Sequence, residues 1–562
     1  MRTSHVLALA ALSGWTSLAC AQSVPADLIL HGGKIVTLDK RSSVVQAVAI
    51  RDGKFLAVGS DAEMKRFAGS GTKTIDLGGR TVVPGLNDSH THFRAAGLAL
   101  YTVNMRNATS VAQALAAVRE FAAKKKPGEW VIGGAWHPPS QLAEKRYLTR
   151  QEIDSVVPDN PVFVPTVGHF VMGNSRALQI AGITRDTPNP EGGTIERDPA
   201  TKEPTGVLIG AAIGLLARAV PDWTMEEQIT QYRAGMRFLN SNGITSTIEG
   251  GIDSPDVRVL RHIVNTGQQT VRVGVMYRPD TSVAADPAKW EQAMKANGAS
   301  SGFGDEWLRF AGVKLAMDGG MTLRTALTRS AYPNDQKYFG MAYLSPERFA
   351  QLIEIADRYG WRVGVHVVGD KATDVALDAF EALDRKSPIA KKRFILIHAS
   401  LMQRDQMERA KKLGMRADVQ NIFMWDRAAT VERFLGRETA DRAVPTRTLI
   451  DIMAIENLGA GTDYPVNTVN PFLNMYVMIT RKDPQGTVYG AKEAVSREEA
   501  LRLYTTSPAH YTFEESVKGS IEPGKLADLV VLSADPLTVP EESIKDITAL
   551  TTIVVGRVVF QR

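Results

Sequence analysis

Residues 81–92 read Thr-Val-Val-Pro-Gly-Leu-Asn-Asp-Ser-His-Thr-His, and this stretch decides the fold. Its apolar first part predicts a buried strand, and His90 and His92 follow at the end of that strand. Alternate side chains of an extended segment share one face, so both imidazoles can bind one metal ion. The stretch therefore predicts a metal site at the end of a buried strand.

Three more polar residues end apolar runs further along the chain. They are His366, His398 and Asp463, each directly after a short run of mostly apolar residues. Four of the ten histidines and one carboxylate thus lie where parallel strands would end. That combination is the ligand set of a metal hydrolase.

The middle of the chain alternates apolar runs with helical segments, which is typical of parallel β/α units. Helix signals lie between the runs, such as the capping box of Thr224 with Glu227 and the start at Ser345-Pro346. The pattern predicts a closed (β/α)8 barrel, whose active site lies at the carboxyl ends of its strands. Its expected strands are 82–86, 244–248, 271–277, 310–317, 362–367, 393–398, 415–419 and 458–461.

Both ends of the chain read as short strands with turns, and a long segment interrupts the barrel after its first strand. We therefore predict an α/β protein: a TIM-like metallohydrolase barrel, a small β-sandwich built from both termini, and an inserted α/β lid over the barrel mouth. Two separate β domains are the alternative to the shared sandwich. The expected boundaries are 22–80 and 516–562 for the sandwich, 81–98 and 241–515 for the barrel, and 99–240 for the lid.

The first residues predict an export signal. Arg2 precedes an apolar stretch, and the small residues Ala19-Cys20-Ala21 form a cleavage site. We expect residues 1–21 to be removed and the protein to be periplasmic or secreted. A lipoprotein anchored at Cys20 is the lesser alternative, and no later apolar run is long enough for a transmembrane anchor.

Composition restricts the partners. With 44% hydrophobic residues in 562, the chain can bury a large core. Its formal net charge of +5, spread without long basic runs, gives nucleic-acid binding no support. The expected partner is a small molecule, and the sequence leaves a homo-oligomer open.

Lys314 lies among apolar residues on an expected barrel strand. Burial disfavours the charged amine and lowers its pKa, and a neutral amine can react with carbon dioxide to give a carbamate. Such a carbamate resembles a carboxylate ligand and can bridge two metals. The alternative is an ion pair with Asp318 or another acid.

These residues resemble the amidohydrolase superfamily, and within it the branch of YtcJ-like proteins and N-substituted formamide deformylases (amidohydrolase 3). The resemblance covers nearly the whole chain beyond the export signal. Its motifs are PGLNDSHTH at 84–92, GH at 168–169 with NSRAL at 174–178, VKL at 313–315 with DG at 318–319, VHVVGD at 365–370, IHA at 397–399, GTDYPV at 461–466 and GSIEPGKLADL at 519–529.

The resemblance implies a binuclear metal site, usually zinc, although manganese, iron or cobalt suit the same donors. It implies that His90 and His92 hold the more buried metal, that His366 and His398 hold the more exposed one, and that a carbamylated Lys314 bridges them. Asp463 would bind the buried metal and transfer protons. From its position alone, Asp463 can also cap the following helix.

Four further residues are candidates for substrate contact. His169 is expected to reach the substrate or its developing oxyanion, and His137 to line the pocket. Arg324 and Asp370 lie near ligand motifs and are candidates for orienting the substrate. Packing, lid hydrogen bonds and structural ion pairs are the alternatives for these four residues.

The expected activity is hydrolysis of a non-peptide C–N bond in a small molecule, such as an N-substituted formamide or N-acyl compound, by a metal-activated hydroxide. An esterase, lactonase or deaminase on the same scaffold is an alternative, because substrate choice depends on the pocket. A non-catalytic exported binding protein is a further alternative.

Overall fold

Eight parallel strands form the centre of the computed structural model, which describes residues 24–562 except 106, 135, 137, 167–169, 191–192, 280, 285 and 297. Neighbours along the chain are neighbours in this sheet. A bridge joins Thr91, in the first strand, to Tyr464, which lies four residues after the last strand. The sheet is therefore a nearly closed barrel, and the fold-class prediction is confirmed. Barrel strands 1 to 8 are Leu86–Thr91, Ile244–Ile252, Arg272–Tyr277, Leu308–Ala316, Val363–Val367, Ile395–His398, Arg416–Val419 and Leu458–Ala460.

Helices surround the barrel and begin at the predicted signals. The Thr224 side chain accepts a hydrogen bond from the Glu227 N–H, and the Ser345 side chain accepts one from Arg348. Among the described residues, no helix has both the length and the apolar character needed to cross a bilayer. The longer helices are Met225–Ser241, Ser254–Asn265, Pro287–Ala296, Pro346–Arg358, Asp370–Asp384, Arg404–Lys412, Phe423–Leu435, Thr446–Met453 and Pro471–Thr480, and the shorter ones are Arg94–Leu98, Arg437–Arg442, Arg497–Arg502 and Thr506–Tyr511.

The prediction that 82–86 is the first barrel strand was wrong. Thr81–Pro84 pairs with Lys34–Val36 and Leu529–Leu532 outside the barrel. The chain passes from one sheet to the other at Gly85, where an added Cβ would lie 2.1 Å from the Thr245 Oγ1. Both flanking strands are buried on both faces, so the apolar run has no periodicity that marks the break. His90 therefore lies within barrel strand 1, and His92 follows it directly.

Strands from both termini pair in one sheet, which excludes two separate β domains. An apolar core that includes Leu30, Phe55, Val82, Leu529 and Ile553 holds this sheet against a second one. The six-stranded sheet has the order Arg557–Gln561, Ala549–Val554, Leu529–Leu532, Thr81–Pro84, Lys34–Val36 and Val44–Val45, and the four-stranded sheet has the order Lys54–Gly59, Ala47–Arg51, Leu28–His31 and Lys73–Asp76.

The insertion after barrel strand 1 has its own mixed sheet and apolar cores. It ends earlier than expected, because the helix Met225–Ser241 packs Tyr232, Met236 and Leu239 into the core of the barrel rather than of the insertion. A helix must precede barrel strand 2 to complete the β/α alternation, so this helix belongs to the barrel. The insertion's strands, in sheet order, are Gly193–Arg197, Pro204–Gly210, Phe170–Gly173, Val162–Thr166 and Val131–Ile132, and its helices are Val111–Ala122, Pro138–Gln141, Arg150–Val156, Ser175–Ile180 and Ile213–Ala217.

Candidate metal centre

Four histidine rings meet at the carboxyl ends of barrel strands 1, 5 and 6. The ring centroid of His90 lies 5.4 Å from that of His92 and 5.2 Å from that of His398. The centroid of His366 lies 4.5 Å from that of His398. Residues separated by hundreds of positions in sequence thus form one continuous cluster of imidazoles.

Asp463 completes a set of three possible metal ligands with His90 and His92. Its Oδ1 lies 3.6 Å from the His90 Nε2 and 3.7 Å from the His92 Nε2. One donor atom from each of the three residues falls within 4.8 Å of the other two. Donors that bind one metal at about 2 Å lie roughly 3 to 4 Å from one another, so this set fits a cation.

Lys314 faces the same cluster from barrel strand 4. Its Nζ lies 3.1 Å from the His90 Nε2, and the residue is 7% exposed. Within the described residues it forms no ion pair with a carboxylate. Asp318, the alternative partner, instead accepts hydrogen bonds from the backbone N–H groups of Leu327, Val368 and Gly369. Burial lowers the pKa of the Lys314 amine to about 8, which increases the fraction of the reactive neutral amine near neutral pH.

Each imidazole has one ring nitrogen held by the protein. The Nδ1 of His92 lies 3.3 Å from Glu249, and the Nδ1 of His90 lies 3.5 Å from Asp418. The Nδ1 of His398 lies 2.6 Å from the Gln420 Oε1, and the Nε2 of His366 lies 3.1 Å from the Gly319 carbonyl oxygen. These contacts orient the rings and leave the second nitrogen of each ring for a metal.

Glu249, Asp418 and Gln420 were not singled out from the sequence. Glu249 lies in barrel strand 2 and Asp418 in barrel strand 7, and all three are almost fully buried. A carboxylate within or directly after an expected barrel strand is the signal that was available, because buried charges are rare unless they are paired or bind metals.

The electrostatics of the cluster suit a cation. Burial lowers the pKa of His90 and His398 well below the usual range and that of His366 to about 4, so these three imidazoles are neutral, as metal ligands must be. Burial also raises the pKa of the carboxyls of Asp463 and Glu249. A divalent cation among them would offset the cost of burying these carboxylates.

Two glycines of barrel strand 2 make room for neighbouring side chains, Gly250 for the histidine cluster and Gly251 for Arg278. A Cβ at Gly250 would lie 2.8 Å from the His90 ring and 2.9 Å from that of His92, so a side chain there would displace the ligands. A Cβ at Gly251 would lie 3.1 Å from the Cδ of Arg278. Arg278 is exposed and follows barrel strand 3. The pKa of His366 is lowered by burial first, then by the charge of Lys314 and, less strongly, by that of Arg278, whereas the hydrogen bond to Gly319 raises it.

Of the four substrate-contact candidates, the structure describes Arg324 and Asp370. His137 and His169 lie outside the described residues. Arg324 has a φ of 58° and an Nη2 3.4 Å from Asp335, with its guanidinium 5.2 Å from the Tyr338 ring centroid. Asp370 begins a helix and accepts a hydrogen bond from the Arg329 N–H. These are structural contacts, and the substrate-binding roles stay predictions.

Comparison with known proteins identifies the family. The family model described as "Amidohydrolase family" matches residues 73–560. The chain belongs to this family. The predicted resemblance is thereby confirmed.

Three relatives align with almost the full length of this chain. Protein LONG AFTER FAR-RED 3 of Arabidopsis thaliana is 31% identical over 97% of this chain and 93% of its own length. The putative amidohydrolase YtcJ of Bacillus subtilis is 29% identical over 95% and 99%. The N-substituted formamide deformylase of Arthrobacter pascens is 28% identical over 95% and 98%.

A solved relative shares the architecture. The uncharacterized metal-dependent hydrolase from Pyrococcus horikoshii superposes with a TM-score of 0.76, is 26% identical, and covers 92% of this chain and 99% of its own. Three findings support the conclusion that this protein is a metal-dependent hydrolase. They are the family, the similar metal-dependent hydrolase of known structure, and the cluster of His90, His92 and Asp463.

Proposed function

We propose that this protein hydrolyses a non-peptide C–N bond, of the N-substituted formamide or N-acyl type, in a small molecule. The observation that carries the proposal is the convergence of four imidazoles, Asp463 and Lys314 at the carboxyl end of the barrel. The relative named as an N-substituted formamide deformylase, aligned over nearly its whole length, supports this bond type.

The donor set fits two divalent metals. His90, His92 and Asp463 would hold one ion, and His366 and His398 the other, with carbamylated Lys314 between them. Nitrogen and carboxylate donors suit zinc, and also manganese, iron or cobalt. Bound metal would supply a water of lowered pKa and would polarise the carbonyl oxygen of the substrate.

Lys314 is suited to the bridging role by its position. Its amine faces His90 and has no carboxylate partner among the described residues, so it is free to react. The amine nitrogen bonds to the carbon of carbon dioxide and loses a proton, which leaves a carbamate anion with two oxygen donors. That anion would supply the negative charge that two metals require between them.

Asp463 is the proposed proton carrier. Its carboxylate lies beside both His90 and His92, where it can accept a proton from the attacking water and deliver it to the leaving amine nitrogen. Protonation makes the amine a better leaving group and completes the cleavage. His169 is proposed to contact the developing oxyanion.

The test is an activity panel with metal-loaded and chelator-treated protein. Formamides and N-acyl compounds are compared with esters, lactones and aminopurines, for the wild type and for His366→Ala. His262→Ala, which alters a histidine on an outer helix, is the matched control. We expect turnover of the amides that is lost after chelation and in His366→Ala, and retained in His262→Ala.

Each alternative function has its own outcome in this panel. Preferred turnover of esters, lactones or aminopurines would replace the amide proposal with an esterase, lactonase or deaminase. Tight binding of compounds by a metal-free protein without turnover would favour a non-catalytic binding protein. Amide hydrolysis that is unaffected by chelation and by His366→Ala would contradict the proposal.

We also propose that the protein is exported and cleaved after Ala21. The predicted signal lies in residues 1–23, outside the described part of the chain. Amino-terminal sequencing of protein from periplasm or medium tests this: a start at Gln22 is expected. An intact Met1 on cytosolic protein contradicts it, and a lipid-modified Cys20 would favour the lipoprotein alternative.

A further inference from the structure

A cavity of about 410 Å³ lies at the end of the barrel opposite to the histidines. Its wall includes Arg309 near the start of barrel strand 4, and Arg362 and Phe394, which directly precede barrel strands 5 and 6. Lys392 and Phe513 also line it. Its volume falls in the range of small-molecule sites.

Three buried arginines of this protein show what makes Arg362 unusual. Arg272 is 2% exposed and forms a two-pronged ion pair with Asp528. Arg481 is 0% exposed and donates to three backbone carbonyl oxygens, one from each of its nitrogens. Arg362 is 4% exposed, but its Nη2 has no hydrogen-bond partner. It also forms no ion pair with a carboxylate in the described part of the chain.

The surroundings of Arg362 add positive charge instead of compensating it. Its Nε donates to the Arg393 carbonyl oxygen, and its guanidinium lies 5.1 Å from the Tyr511 ring centroid and 5.5 Å from that of Phe513. Arg416 nearby is 7% exposed, and its Nε also lacks a partner. Burial, together with the charges of Arg416 and Arg393, lowers the pKa of Arg362 to about 9.

The acids near the cavity already have partners. Asp357 pairs with Lys392, Glu515 with Arg393, and Glu514 with Lys518. None of these carboxylates is left to neutralise Arg362. An uncompensated buried charge is costly, whereas an anion with two oxygens would fit the planar fork of the guanidinium.

We propose that this cavity binds a small organic anion, whose carboxylate or phosphate group is held by Arg362 and whose planar apolar body packs on Phe394 and Phe513. His366 lies four residues after Arg362, so the two sites are roughly 13 Å apart along barrel strand 5. The anion is therefore a separate ligand and not the substrate of the histidine cluster.

The test measures binding of inorganic phosphate and of benzoate to the metal-loaded protein by calorimetry, at constant ionic strength set with chloride. We expect saturable binding that is weakened about tenfold or more in Arg362→Met, because a charge-assisted, two-pronged contact is lost. Arg146→Met, which alters an exposed lid arginine paired with Glu152, is the matched control and should bind like the wild type.

Anions can also bind at a metal centre, so the measurement is repeated with His366→Ala. Retained binding in that variant and lost binding in Arg362→Met support the proposal. Binding of phosphate alone indicates a phosphorylated ligand, and binding of benzoate alone indicates a carboxylate. Equal binding by Arg362→Met and the wild type, or no saturable binding of either probe, overturns it.

Folding of the variants is checked by circular dichroism and metal content. If Arg362→Met does not fold, Arg362→Lys and Lys392→Met are measured in its place. Arg362→Lys keeps the charge but loses the fork, and Lys392→Met removes a cation from the wall. Weaker binding by both supports the proposal, and unchanged binding by both overturns it.

Discussion

The two ends of the barrel have opposite electrostatic requirements. At the carboxyl end, buried carboxyls such as Asp463 and Glu249 lie among the imidazoles, and the buried amine of Lys314 lies beside His90. At the amino end, Arg362 and Arg416 are buried without a carboxylate partner among the residues that the structure describes. The comparison teaches that the charge left uncompensated at each end indicates the charge of the ligand: a metal cation at one end and an organic anion at the other.

The interior of the barrel keeps these ends apart. Ile248, Met276, Ala311, Ile395 and Ile397 form an apolar layer inside the cylinder together with Tyr511. Such a packed core is not a pore, so ligands and water of one end do not reach the other. The same strands therefore supply two chemically independent surfaces.

Removal of a metal ligand should have the largest effect, and only at the carboxyl end. In His90→Ala we expect the bound metal to be lost and hydrolysis to fall at least about a thousandfold, because the water-activating cation is gone. Elemental analysis and kinetics measure both quantities. His262→Ala is the control, and a His90→Ala protein with full metal content and activity would contradict the assignment.

Arg272 and Arg362, which are both buried at the amino end, should differ in their contribution to stability. Arg272→Met leaves Asp528 as an uncompensated buried charge, so the free energy of unfolding should fall by about 3 to 5 kcal/mol. Arg362→Met leaves no carboxylate behind and should cost much less. Chemical unfolding followed by circular dichroism measures the difference. Equal losses of unfolding free energy in the two variants would contradict the view that only Arg272 compensates a buried carboxylate.

Lys314→Ala should lower hydrolysis about a hundredfold, because the bridge between the metals is lost. Added acetate or propionate should restore part of the activity by supplying a carboxylate in the vacated space. Wild-type protein with the same additives is the control. Mass spectrometry of the native protein should show one bound carbon dioxide. Undiminished activity of the alanine variant would rule out the bridging role.

Glu249→Gln should have the smallest of these effects. The variant keeps the shape of the side chain but loses the charge that orients His92, so metal affinity should fall about 10- to 100-fold. Competition with a metal-binding dye measures the affinity. Glu120→Gln, on an exposed helix face, is the control. An unchanged affinity would show that Glu249 does not orient the ligand.

The fold and much of the candidate site followed from local patterns. Apolar runs of strand length, each ended by His90, His366, His398 or Asp463, predicted both the barrel and the meeting of these side chains. The start of the first barrel strand was predicted wrongly because the pattern of apolar residues does not mark it. Thr81–Pro84 and barrel strand 1 are both buried on two faces, so the apolar run did not reveal that the chain changes sheets at Gly85.

The sequence by itself determined that the chain is a β/α barrel of the amidohydrolase type with a histidine-rich end, because strand-end positions are local features. Only the tertiary structure decided the partners of buried charges. Glu249 contacts His92 from another strand, and Asp318 accepts hydrogen bonds from backbone N–H groups. Arg362 has no counter-ion among the described residues. The physical reason is that compensation of a buried charge depends on distances between residues far apart in sequence.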